Sequence, residues 1–88
     1  MVGKGDPYKQ TLHAFKKVEE ALKQAGAWLT DVVSTRIYVK NNDHWPAISK
    51  AHAQVFKGIR PAFCGVVVDD LYDPEALVHV EVVAIVEP

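Results

Sequence analysis

The stretch "ALVHVEVVAIV", Ala76 to Val86, decides how this chain folds. Read with the two-residue period of a strand, Val78, Val80, Val82 and Ala84 share one face. Leu77, Val83 and Ile85 share the other, together with His79 and Glu81. A strand that is apolar on both faces belongs to a sheet covered on both sides. "AFCGVVVDD", Ala62 to Asp70, carries the same mark in the run Val66–Val68. "LYDPE" joins the two strands, with Pro74 as the rigid element of a turn.

Working towards the N-terminus, "DHWPAISKAHAQVFKG" predicts a helix. Asp43 is its candidate cap and Pro46 falls in the first turn, where a missing N–H is tolerated. Trp45, Ile48, His52, Val55 and Phe56 form its apolar stripe, and Gly58 ends it. Before it, the β-branched "DVVSTRIYVK", Asp31 to Lys40, predicts a strand closed by the turn signal "NND". Val33, Thr35, Ile37 and Val39 are expected on one face, and Val32, Ser34, Arg36 and Tyr38 on the other. Furthest upstream, "GDPYKQTLHAFKKVEEALKQAGA" is the clearest helix. Asp6 caps it, Pro7 opens it, and Leu12, Phe15, Val18 and Leu22 recur at helical spacing. Gly26 is placed to stop it in a left-handed turn.

The order is α-β-α-β-β in one α+β domain of 88 residues. Two helices cover one side of such a sheet. The other side needs a cover too, and a second copy of the chain is the simplest one, so a homo-oligomer is expected. Hydrophobic residues make up 49%, which excludes a disordered chain, and the net charge of −1 gives no general attraction to nucleic acid or anionic membranes. A single cysteine, no apolar leader and no membrane-length apolar run point to the cytoplasm.

Among residues that carry chemistry, Cys64 has no helix N-terminus or base beside it and reads as a small packing residue. Glu81 is a carboxylate in an otherwise apolar strand. It is a candidate general acid or base, with His79 two positions away on the same face; the alternatives are an ion pair with Arg36 or Arg60, or an edge-facing, solvated carboxylate. Arg60, at the mouth of a strand, is suited to gripping a carboxylate. His13, His44 and His52 show no metal-ligand spacing, and the five glycines compose no phosphate loop.

Taken together, "GDPYKQTLHAFKKVEEALKQAGAWLTDVVSTRIYV", "RPAFCGVVVDDL" and "VHVEVVAIV" resemble the RidA/YjgF family over about Gly5 to Val86. The resemblance implies a chorismate-mutase-like sheet, a homotrimer with clefts between subunits, and hydrolysis of enamines or imines to keto acids and ammonia. It implies no metal and no organic cofactor. In that chemistry an arginine holds the substrate carboxylate and a glutamate helps position water. The glutamate is kept as Glu81. The arginine position, directly after "PA", holds Phe63. The cysteine position holds Gly65, with Cys64 one place off, and the asparagine of the second helix aligns with Ser49. The family's usual N-terminal strands precede the point at which this sequence starts, so a shortened sheet with an open edge is expected.

Three readings follow. In the first, a small imine, enamine or carbonyl compound binds a cleft between subunits, with Arg60 or Arg36 replacing the missing arginine and Glu81 acting on it; Ser49, Phe63, Cys64 and Gly65 complete the site. In the second, the same fold is a non-catalytic binding or assembly module. The third, RNA cleavage, follows a label the family has carried, and the near-neutral charge and the lack of a basic aromatic face speak against it.

Overall fold

The structure, a computed structural model, describes residues 2–87. Its elements are α1 (Pro7–Gln24), β1 (Val32–Val39), α2 (Trp45–Val55), β2 (Ala62–Val67) and β3 (Val78–Ala84), in the expected α-β-α-β-β order. The three strands form one mixed sheet in the order β2-β1-β3. β1 runs parallel to β2 and antiparallel to β3.

Each element starts and stops for a local reason. The Asp6 carboxylate accepts a hydrogen bond from the Lys9 amide at 3.0 Å, and Pro7 opens α1. Gly26, at φ +83°, turns the chain out of the helix, and the Ala27 amide bonds back to the Leu22 carbonyl at 2.8 Å. The second helix differs from expectation. Asp43 does not cap it: residues Asn42–His44 form a short 3₁₀ turn, and the Asn41 side chain accepts from the Asp43 amide at 2.8 Å. α2 then begins at Trp45, with Pro46 in its first turn.

The core lies between the helices and one face of the sheet. Phe15 of α1, Ile48 and Phe56 at α2, Ile37 and Val39 of β1, and Val78 of β3 are buried there together. Each such side chain contributes about 1.5–3 kcal/mol by leaving water. Thr35, Ile37 and Val39 take the core face, as the alternation predicts. Val32 and Val33 do not. Val32 is buried and Val33 is exposed, because the register slips between Val32↔Ala84 and Ser34↔Val83 and leaves Val33 as a bulge. The extra residue shifts the face phase by one.

α1 also departs from its apolar stripe, since two of its most buried residues, Gln10 and Thr11, are polar. Thr11 donates to the Pro7 carbonyl one turn back, at 2.7 Å. Gln10 does more. Its Nε2 donates to the carbonyls of Gly3 and Glu75, at 3.3 and 3.2 Å, and its Oε1 accepts from the Leu77 amide at 2.8 Å. One side chain thus satisfies backbone groups at both ends of the chain, where water is excluded. The loop it holds contains the turn Asp73–Ala76, closed by a 3.0 Å bond from the Ala76 amide to the Asp73 carbonyl, with Pro74 inside it.

Gln10→Glu keeps the acceptor for Leu77 but replaces the donor with a carboxylate facing two carbonyl oxygens. Urea denaturation is expected to show a loss of about 1–3 kcal/mol. The same change at the exposed Gln24 should stay within about 0.5 kcal/mol. Equal midpoints for the two variants would show that Gln10 holds nothing.

Candidate functional site

The register of the sheet sorts the candidate residues onto two sides. Arg36 pairs with Cys64 on β2 and with Glu81 on β3. Paired positions point to the same side, so these three share the face that carries no helix. They line a groove of about 320 Å³ together with Ser34 and Val83. Cys64 is exposed there, not packed as its strand context suggests, because the parallel register sets it beside Arg36 on the bare face.

Arg36 and Glu81 face one another across the ladder without closing an ion pair. Among the described residues, the charged groups within 4.0 Å of each other are Lys4 with Glu75 and Lys40 with Asp70. Tyr38, next along the same face, raises the already high pKa of the Arg36 guanidinium, and the Cys64 thiol adds to the effect. The group stays a full positive charge, free to meet an anion.

Arg60 stands apart from this groove. It is exposed at the end of the loop that precedes β2, with φ at +57°, a left-handed conformation unusual for a side chain with a Cβ. Of the two arginines open as a carboxylate anchor, only Arg36 shares the groove with Glu81. At its other end, the same bare face holds a second hollow, of about 510 Å³, where Tyr38, Leu71, Tyr72 and His79 meet Glu81.

Phe63 and Gly65 lie on the opposite side of β2. The Phe63 ring meets the indole of Trp45 edge-on at 6.1 Å and the imidazole of His52 at 5.1 Å. Trp45 lies so close over Gly65 that a Cβ there would come within 2.6 Å of its ring. The indole N–H is tied to the Asn42 side chain at 3.0 Å. Ser49 is exposed on α2, one turn after Trp45 and one before His52. The candidate residues therefore form two groups, one on each side of the edge strand. His52 was legible only as part of an apolar stripe. Its bond to Thr35 could not be read from the sequence, since nothing local links residues seventeen apart. Burial among aromatic rings pushes the His52 pKa below the ordinary histidine value.

A family model described as endoribonuclease L-PSP matches residues 1–86. The structure superposes with a TM-score of 0.90 on Rv2704 of Mycobacterium tuberculosis, a member of the YjgF/YER057c/UK114 family. The two are 46% identical, over 92% of this chain and 69% of that one. The chain belongs to the RidA/YjgF family. A second member of that family, the Rid protein YyfA of Yersinia pestis, gives a TM-score of 0.86 at 36% identity, over 92% of this chain and 64% of its own. An uncharacterized protein of Streptomyces coelicolor is 36% identical over 84 residues, which span 96% of this chain and 63% of that relative. The chain thus covers less than two thirds of that relative's length. The RidA/YjgF fold seen here is the α+β sheet with two helices on one face that the resemblance implied. None of its helices, among the described residues, is long and apolar enough to cross a membrane.

Two outcomes test this geometry. Gly65→Ala forces Trp45 off the strand and should cost about 1–3 kcal/mol in denaturation, with a changed Trp45 emission when Trp28 is replaced by Phe. An unchanged spectrum would mean the indole does not rest on Gly65. The second concerns acid. A folded-state pKa depressed below the unfolded one means the unfolded chain takes up the proton first as pH falls. The His52 contribution to stability is therefore full above the unfolded histidine value, 6.5, and declines as pH drops through it towards the folded value. Denaturation midpoints measured through that window should slope less in His52→Gln than in the wild type.

Proposed function

We propose that this RidA/YjgF protein binds a small imine, enamine or related carbonyl compound bearing a carboxylate, in the groove on the bare face of the sheet. The observation that carries this reading is the register that sets Arg36 between Cys64 and Glu81. Arg36 holds the ligand carboxylate through charge-assisted, two-pronged hydrogen bonds. Glu81 stands on the next strand, where its carboxylate accepts a proton from a water molecule. The hydroxide left adds to the C=N carbon, the nitrogen takes the proton back from Glu81, and the carbinol so formed passes its hydroxyl proton to the nitrogen as the C–N bond breaks. A carbonyl compound and ammonia result. The groove supplies one acid/base group and one anchor, and the reaction consumes only water. Cys64 and Ser34 line the walls.

The bare face is the part of this reading that needs a second chain. Val83 and Ile85 remain 56% and 59% exposed on it. We read the working protein as a cytoplasmic homo-oligomer, with a trimer favoured by its family, whose neighbouring subunits wall the groove.

A second reading, binding without turnover, is favoured by Phe63. At the position where the family's anchor stands, this chain has an aromatic ring packed against Trp45 and His52. A charged hydrogen bond worth about 1.5–3 kcal/mol is absent there, so deaminase turnover is expected to be slow.

Both readings are separated by one set of measurements on a freshly generated imino acid and a stable carboxylate analogue. Arg36→Gln should weaken analogue binding about tenfold or more. Glu81→Gln should leave binding within a few-fold and remove ammonia release. Binding with no turnover in the wild type selects the second reading. Affinity unaffected by Arg36→Gln removes the groove from the site altogether.

A further inference from the structure

The His52 imidazole lies in a slot built from four elements. Phe15 of α1 is at 5.8 Å, Phe56 beyond the end of its own helix at 4.8 Å, and Phe63 of β2 at 5.1 Å. The fourth wall is Thr35 of β1, whose hydroxyl oxygen is 2.8 Å from Nε2. None of these neighbours carries a charge, and burial is the sole cause that lowers the histidine.

The direction of the Thr35–His52 bond follows from counting protons. Thr35 is 3% exposed, and among the described residues its hydroxyl has His52 as its side-chain partner. With Nε2 bare, the hydroxyl donates to the ring nitrogen and both groups are satisfied. With Nε2 protonated, the nitrogen must donate, and the hydroxyl proton of Thr35 is left buried without an acceptor. Protonation therefore reverses the bond that seats the ring and strands the hydroxyl proton, besides bringing a charge among three phenyl groups.

The ring in turn braces β2. That strand is paired on one side only, to β1. Its other support is the aromatic packing of Phe63 on His52 and Trp45. Cys64, the next residue, faces the groove on the far side of the sheet. We propose that His52 is a positioning residue for the edge strand: neutral, it accepts from Thr35 and braces Phe63, and protonated it releases that brace, so that Phe63 and the groove wall at Cys64 shift together on acidification. This inference does not depend on what the groove binds.

The test uses the ligand-free protein and nuclear magnetic resonance. The His52 ring signal, the Phe63 ring signals and the Cys64 amide signal are followed through a pH titration. All three are expected to move with one midpoint, below that of an ordinary histidine. Thr35→Ser, which keeps the hydroxyl, should preserve that midpoint, and Thr35→Val should raise it. In His52→Gln the response at Phe63 and Cys64 should vanish. Signals at Phe63 and Cys64 that stay still while His52 titrates would overturn the proposal. So would the same midpoint in Thr35→Val, or a response that survives His52→Gln. The wild-type titration alone decides the coupling if a variant fails to fold. Because no ligand is present, failure here leaves the roles of Arg36 and Glu81 untouched, and their failure leaves this result standing.

Discussion

β1 is bonded along both edges, and the remaining elements take their places from it. Its parallel ladder to β2 runs from Ser34↔Ala62 to Val39↔Val67, and its antiparallel ladder to β3 runs from Val32↔Ala84 to Val39↔Val78. A strand has a side-chain period of two, so a slip of one residue in either ladder would send a whole row of side chains to the wrong face. The core residues Thr35, Ile37 and Val39 pin the register from the helix side. The chemistry on the other side, Arg36 with Cys64 and Glu81, follows from that pinning. It is positioned by hydrophobic packing in which it takes no part.

The element order was legible because each element carries its own punctuation. Asp6 and Pro7 start α1, Gly26 ends it, and the turn around Pro74 separates β2 from β3. The failures share a different cause. Val33 leaves the core face because of a bulge, and a bulge depends on the partner strand. The 3₁₀ turn at Asn42–His44 takes over the start that Asp43 seemed placed to supply. Cys64 is exposed because a parallel partner sets its face, and a partner 28 residues away leaves no trace in local periodicity. The burial of Gln10 was hidden for the same reason, since one of its acceptors and its donor lie in the distant turn before β3. For the site, residue types were legible and grouping was not. Glu81 stood out as a carboxylate among valines. That Arg36, and not Arg60, stands beside it needed the ladder.

The sheet divides the candidate residues into a charged side and an aromatic side, with β2 between them. Residues that alternate along three positions, Phe63, Cys64 and Gly65, serve both sides in turn. The position that carries the anchor in the resemblance is here part of the aromatic layer. Here Arg36 stands on the charged side, while Phe63 packs against Trp45 and His52 in the aromatic layer.

The clasp formed by Gln10 has a consequence for how the chain comes to be folded. Two of its three partners are 65 and 67 residues further along. β3, which closes the second ladder on β1, is also the last of the described elements. The first helix and the middle strand are therefore synthesised long before the groups that complete them. Until the final strand arrives, β1 keeps one edge open and the amide of Gln10 has no carbonyl of the distant turn to hold. Non-local closure of this kind is slow, and it places the commitment to the native state after β3 has been made. A chain cut short by about a dozen residues would not be a slightly smaller version of this protein, but one whose first half is left waiting.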